Sequence, residues 1–291
     1  MNEIILSEIQ SEYLDSAIEI LKQQELPYSD LNNKKIYKMG AFSKNKLIGI
    51  AGLEIYNLSG LFRSLAVEKT YQAQGTGKKL YQSIIAQSLV DGLNRLYLLT
   101  TTAEKYFEKL GWNKINRNDV PDDVKQSTEF SDLCPSTAIC MSLELPQSKP
   151  DQAERIFHEG FNCAQSAFLP FARDYKIDVN HALKLATGFG AGMVSRGDTC
   201  GAVTGAMMAI GLKYGRNIVS DEQSKNYTYQ LINEFYDAFK KEHGSILCKD
   251  LLGADLSTQE GRMKAGEAGL FQKLCPKFVK SAVEITENLI K

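Results

Sequence analysis

The sequence predicts an α+β fold in two parts: a first half that mixes strands with helices, and an all-α second half. Three observations carry this. Apolar strand-like runs and amphipathic helical patterns alternate up to about residue 145. The segment Leu145-Pro-Gln-Ser-Lys-Pro150 then breaks the periodicity with two prolines. Beyond it the strand signal fades and helical spacing recurs. At 291 residues two domains are expected, here 1–146 and 151–291.

Taken in order, Ile4–Glu8 reads as a strand. Glu12–Gln24 reads as a helix with Leu14, Ala17, Ile18 and Leu21 on its apolar face. Ile36–Phe42 and Leu47–Tyr56 read as neighbouring strands joined by the turn Ser43-Lys-Asn-Lys46. Leu61–Val67 is a further apolar strand, followed by Gln72-Ala-Gln-Gly75-Thr-Gly77 and an amphipathic helix over Lys78–Asp91. The run RLYLLTT from Arg95 is the next strand, a helix ends in Tyr106-Phe-Glu-Lys-Leu-Gly-Trp112, and Ser136–Leu145 closes the set.

Composition bounds the function. Hydrophobic residues at 43% and charged residues at 24% are ordinary for a soluble globular protein. A net charge of −1 gives no basic footprint for nucleic acid, and no Lys/Arg-rich run or membrane-length apolar stretch points to a bilayer. The opening MNEIILSEIQ lacks a basic n-region and a long apolar core, so a cytoplasmic protein is expected. Its six cysteines are then expected to be reduced thiols, metal ligands or redox groups rather than a disulfide framework.

The stretch from Arg63 to Trp112 carries the chemistry. Gly75 and Gly77 let the backbone approach a ligand closely. The helix that follows opens with unpaired N–H groups and a positive dipole end, which suits a diphosphate. Strand, glycine loop, helix, strand and helix together suit a pyrophosphate beside an extended thioester, so acyl transfer from coenzyme A is the leading reading. Transfer to an amine needs a base and a proton for the departing thiolate. Glu54 reads either as that base or as an exposed strand carboxylate. Arg63 reads either as a partner for an anionic substrate group or as half of a surface salt bridge.

These motifs resemble the GNAT N-acetyltransferase superfamily, whose signature Gln/Arg-x-x-Gly-x-Gly/Ala is filled by Gln72, Gly75 and Gly77. Within it, RSLAV, YLLTT, YFEKLGW and LCPSTAICM look like the arsenic-resistance-associated subgroup. The resemblance implies a mixed sheet flanked by helices, a small-molecule amine as acceptor and arsenic-linked biology. It also implies acetyl-CoA, held by Leu65, Ala66, Val67, Gln72, Gln74, Gly75, Thr76, Gly77 and Lys78. One position departs. Many members protonate the thiolate from a Tyr four residues before the Gly of the final motif, which here is Phe107. Tyr106 is the substitute, though it points roughly 100° around the helix; water or another segment is the alternative. Cys134 and Cys140 flank PSTAI and either meet a thiophilic substrate or pack as small hydrophobes.

The second half holds Cys163, Cys200, Cys248 and Cys275, with no C-x-x-C pair, so any joint site is assembled by folding. Cys200 follows the glycine-rich GFGAGMVSRGD and opens a small-residue helix, a position that favours thiolate. The three histidines show no metal-ligand spacing. This half resembles a redox-active four-cysteine family, C_GCAxxG_C_C; the CGAxxG stretch here is Cys200–Gly205. The resemblance implies either a dithiol/disulfide couple or a thiolate site for a soft metal, metalloid or iron–sulfur cluster. The competing reading for the whole chain is a non-catalytic metal-binding or redox-sensing protein that holds coenzyme A, with a homodimer left open.

Overall fold

The computed structural model describes residues 4–291. The chain divides after Leu145 into two compact units, and the helical second unit and mixed-sheet first unit are as expected from the sequence. Among the described residues no helix is long and apolar enough to cross a membrane.

The first unit is built on strands β1 (Ile5–Glu8), β2 (Ile36–Ser43), β3 (Lys46–Tyr56), β4 (Ser59–Val67), β5 (Arg95–Thr100), β6 (Asn113–Ile115) and β7 (Ile139–Glu144). They form one seven-stranded sheet in the order β1-β2-β3-β4-β5-β7-β6. The β2–β3 turn places Lys44 at φ +50° and Asn45 at φ +65°, the left-handed pair that matches the twist of a tight hairpin. Helix α1 (Leu14–Gln23) and helix α2 (Thr76–Val90) take opposite faces. Strand alternation explains this: Ile50 and Ala66 lie in the core cluster with Ala17, Ile20 and Leu21 of α1, whereas Gly49 looks toward Leu80 of α2 and Val67.

One pairing differs from the rest. β4 and β5 run parallel and are paired only over Ser59–Leu61 with Arg95–Tyr97. Just beyond, β4 carries Ser64 at φ +58°, and the β3–β4 register has already shifted between Ile50 and Gly52. The two strands part there, leaving the β5-facing edge of Arg63–Val67 unpaired. The short helix α3 (Glu104–Glu108), before β6, is the helix expected ahead of Trp112. The stretch between β6 and β7, by contrast, was not anticipated as structured and holds α4 (Asp122–Lys125), then a π-helical turn over Glu129–Leu133. Val120, Val124 and Phe130 cover Leu61, Tyr97 and Cys140.

The second unit comprises α5 (Lys149–His158), α6 (Cys163–Phe168), α7 (Val179–Ala186), the short turn α8 (Gly190–Met193), α9 (Gly201–Tyr214), α10 (Glu222–His243), α11 (Cys248–Leu252), α12 (Gln259–Glu267) and α13 (Leu270–Leu289). Pro150 starts α5 rather than extending the linker: it sits in the first turn, with Ser148 as N-cap accepting the Asp151 N–H. Helix α9 is buried along Gly201, Ala202, Gly205, Ala206 and Ala209, and α6 crosses it closely. A Cβ at Gly205 would sit 2.7 Å from the Ala164 carbonyl oxygen and 2.8 Å from Ala167 Cβ.

Gly205→Val is therefore expected to destabilise the protein by about 1–3 kcal/mol through overpacking. Gly211→Ala, on the same helix with nothing within 4 Å of the added carbon, is expected to gain about 1 kcal/mol. Urea unfolding of both variants checks the contrast in sign.

Candidate functional site

Where β4 and β5 part, a cavity of about 900 Å³ opens. Leu65, Ala66 and Val67 line one side, and Leu98–Ala103 with Tyr106 and Phe107 the other. At the end of β4 the chain turns through Ala73 at φ +58° and Gly75 at φ +81° into α2. The loop side chains are occupied in holding its shape. Gln72 Nε2 donates to the Val67 carbonyl and Gln24 Oε1, Gln74 Nε2 to the Thr70 carbonyl, and Thr76 Oγ1 to the Tyr71 carbonyl. Gln72, Gln74 and Thr76 were expected to contact a cofactor by motif; the side chains of Gln74 and Thr76 bond within the loop, and Gln72 lines the cavity while bonding Val67 and Gln24. The N–H groups of Gly75, Thr76, Gly77 and Lys78 open α2 and have no intrahelical acceptor. A Cβ at Gly75 would meet no atom within 4 Å, so this glycine is required by its backbone angle.

Arg63 is neither a surface ion pair nor free for a substrate anion. Its side chain is fully buried. Nη1 donates to Asp30 Oδ2 at 2.7 Å and Glu54 Oε1 at 2.5 Å, and Nη2 donates to Asp30 Oδ1 at 2.7 Å. Nε donates to Ser64 Oγ at 3.4 Å and lies 2.7 Å from Glu129 Oε2. Burial opposes the guanidinium charge, but hydrogen bonds and attraction from Asp30, Glu129 and Glu54 outweigh it and hold Arg63 firmly protonated.

Glu54 is likewise not an exposed strand carboxylate. It is buried, with Oε1 taken by Arg63 and Oε2 accepting the Tyr56 hydroxyl at 2.6 Å, and it does not line the cavity. Two carboxylates do, the exposed Glu25 and the buried Glu129; sequence reasoning missed Glu129. One guanidinium faces three carboxylates. Glu129 is buried, and burial, reinforced by the charges of Glu54 and Asp30 and opposed by Arg63, pushes it up to about 7. Its Oε2, although close to Arg63 Nε, has no aligned donor, while Cys134 Sγ donates to Oε1 at 3.7 Å.

Tyr106 and Phe107 both line the cavity; Tyr106 is 40% exposed, and Phe107 is buried edge-on against Phe62 and Trp112. Cys134 and Cys140 do not act together. Cys134 lines the cavity, but Cys140 is buried in the core with Leu61 and Phe130. Burial raises the Cys134 thiol to about 12, with Glu129 adding to it, and Cys140 to about 11.

In the second unit Cys163, Cys200, Cys248 and Cys275 are all buried and line one cavity of about 190 Å³. Cys163 is the first residue of α6, capped by Asn162, which accepts the Ala164 and Gln165 N–H groups. Cys200 is the N-cap of α9. Cys200 was expected as the thiolate from its place before a helix. Of the two neighbouring thiols it is Cys163 that is lowered, to about 7, by Cys200 beside it and by the N–H groups of Ala191, Cys163 itself and Gly201, against burial. Cys163 beside it, and its burial, push Cys200 well up. The start of α9 thus solvates the neighbouring helix's sulfur. Gly201 makes this close approach feasible, since a Cβ there would run into Cys163 Sγ. Ala191 belongs to a left-handed run in which Ala191, Gly192, Met193, Val194 and Ser195 all have φ between +52° and +66°. Such backbone is strained for residues other than glycine. Burial first, then the Cys163 charge, raises Cys248 and Cys275 to about 12. Among the described residues no three His, Cys, Asp or Glu side chains are placed to hold a metal ion; the four cysteines expected to serve as metal or redox thiols stand at the starts of α6, α9 and α11 and on α13, around the one cavity.

Comparisons with known proteins follow this division. Residues 36–114 match the family model "Acetyltransferase (GNAT) domain", and residues 161–289 match "Putative redox-active protein (C_GCAxxG_C_C)". An uncharacterized protein of Archaeoglobus fulgidus is 31% identical over 145 residues, 47% of this chain and 89% of that protein; the chain belongs to the same family as that protein. Among solved structures, a GNAT-family acetyltransferase from Staphylococcus aureus is 20% identical, covering 50% of this chain and 100% of that one at a TM-score of 0.41. N-acetylglutamate synthase from Neisseria gonorrhoeae, complexed with coenzyme A and N-acetyl-glutamate, is 18% identical over 50% of this chain and 36% of that one at a TM-score of 0.42.

Removing the one cation from a buried cluster of carboxylates is costly. Arg63→Ala is expected to lose about 3–5 kcal/mol near pH 7. Without the guanidinium the carboxyls fold more readily uncharged, so the deficit should shrink as pH falls toward about 4. Denaturant titrations of wild type and variant at the two pH values measure both effects.

Proposed function

From a chain that joins a GNAT acetyltransferase domain to a C_GCAxxG_C_C domain, we infer an acetyl-CoA-dependent N-acetyltransferase of small amines coupled to a thiol-redox unit. The observation that carries the first part is the buried Glu129 Oε2, without an aligned donor, in the cavity where β4 and β5 part. The acyl donor lies along the unpaired edge of Leu65, Ala66 and Val67, and its diphosphate meets the N–H groups of Gly75, Thr76, Gly77 and Lys78. The acceptor enters as a cation, because the Glu54, Asp30 and Glu129 carboxyls outnumber the single Arg63. Glu129 takes a proton from the amine, the amine nitrogen attacks the thioester carbonyl, and the C–S bond breaks to release coenzyme A. Tyr106 or water returns a proton to the thiolate. Glu54 and Asp30 position Arg63, and Arg63 positions Glu129. An arsenic-linked setting is supported only by the motif likeness of RSLAV, YLLTT, YFEKLGW and LCPSTAICM. In the second unit, Cys163 and Cys200 on the neighbouring starts of α6 and α9, with no three-ligand metal group among the described residues, support the thiol-redox reading.

The test is release of free coenzyme A from acetyl-CoA with a panel of amines, amino acids and their arsenic and phosphorus analogues. For an active acceptor, kcat/KM is expected to rise with pH through about 7, as the Glu129 carboxyl ionises. Glu129→Gln should bind acetyl-CoA as wild type does, lose that rise and turn over roughly 10²–10⁴-fold more slowly. An unchanged rate would eliminate Glu129 as the base. Separately, the Gly75→Val/Gly77→Val double variant should lose acetyl-CoA binding by calorimetry; retained binding would remove the loop from the donor site.

A further inference from the structure

We propose that Cys163 and Cys200 are the exchanging pair of the second unit, with Cys163 as attacking sulfur, Cys200 as resolving sulfur, and a small uncharged disulfide as partner. This rests on the thiol-redox reading of that unit and is independent of acetyl transfer. Three observations carry it. Cys163 opens α6 and Cys200 caps α9, and the two thiols line one cavity as neighbours. Cys163 is the first residue of α6 and its Sγ packs against the start of α9, where a Cβ on Gly201 would run into it, so helix-start N–H groups favour its negative charge, in line with its lowered pKa. The cavity beside it has a benzene-to-disulfide scale volume, about 190 Å³.

The walls of that cavity decide the partner. Beside the thiols they are Phe157, Phe161, Phe271, Phe278 and leucines, Asn162 is the polar exception, and among the described residues no charged side chain lines it. A charged peptide disulfide would lose its hydration there without compensation; a neutral one with short apolar arms would not. Cys248 and Cys275 flank the cavity as neutral thiols, held protonated by burial and by the Cys163 charge.

The exchange balances as follows. The Cys163 thiolate attacks one sulfur of R–S–S–R, the S–S bond breaks, and R–S⁻ leaves with the electron pair. Cys200 then attacks Cys163 Sγ, giving up its proton to a departing R–S⁻ and expelling the second. With one further proton from solvent, the protein dithiol is oxidised by two electrons and the small disulfide is reduced to two R–SH.

The experiment treats the reduced full-length protein with bis(2-hydroxyethyl) disulfide or glutathione disulfide at equal concentration, then maps thiols and linkages by peptide mass spectrometry. A Cys163–Cys200 linkage, formed roughly tenfold faster with the neutral reagent, is expected. Cys200→Ser should stop at a mixed disulfide on Cys163, and Cys163→Ser should leave Cys200 unmodified. The wild-type map stands even if a variant folds poorly. A linkage confined to another pair, such as Cys248–Cys275, would overturn the couple while leaving the redox reading intact. Equal rates with the charged reagent would overturn the partner class, and no linkage in wild type would overturn both readings.

Discussion

A guanidinium that cannot reach water governs the first unit. Arg63 is sealed beneath the point where β4 and β5 part, and it draws together side chains from four separate places in the chain: Asp30 after α1, Glu54 on β3, Ser64 beside it on β4 and Glu129 on the π-helical turn. Bringing such charges out of water costs several kcal/mol per ion unless geometry and hydrogen bonds compensate. Asp30 supplies that geometry as a two-point fork, and Tyr56 satisfies the oxygen of Glu54 that Arg63 does not reach. The loop after α1 and the turn before β7 are therefore fastened to the sheet at the mouth of the cavity, which sets the width of the opening.

The stoichiometry of that cluster matters as much as its bonds. Asp30 and Glu54 take the aligned donors of the guanidinium, and Glu129 is left with proximity to Nε but without a directed hydrogen bond. A third full negative charge in the same buried volume is resisted by the first two, so the Glu129 proton is held to about 7. A carboxyl in that range is suited to exchanging a proton at neutral pH. The structural residues thus tune the buried carboxyl that faces the cavity.

Local features of both units were legible in the sequence because they depend on near neighbours. The Lys44-Asn45 hairpin, the strand edges and the glycine turn into α2 follow from short-range steric rules and side-chain alternation. The role of Glu54 was misread because β alternation gives a face and not a partner. Arg63 lies 33 residues from Asp30, and Glu129 sits on a π-helical turn that no apolar periodicity announces. Cys200 shows a related limit. Its place before α9 was clear, but a helix dipole acts on whatever sulfur lies in front of it, and folding also brings Cys163 Sγ there. Pro150 begins a helix rather than extending the linker because Ser148 caps it, a distinction that proline content alone does not make.

Two glycines show how differently the same residue can serve a site. Gly75 is open on all sides, and its requirement is angular: φ +81° lets the chain turn so that successive N–H groups converge at the start of α2. Gly201 has no positive φ, and its requirement is spatial, since any side chain would displace Cys163 Sγ from the first N–H of α9. In the first case the absence of a side chain shapes the backbone that meets an anion; in the second it admits one that the protein itself supplies. The common principle is that exposed N–H groups at a helix start attract negative charge, and the surrounding sequence decides whether that charge arrives with a ligand or is built in as a thiolate.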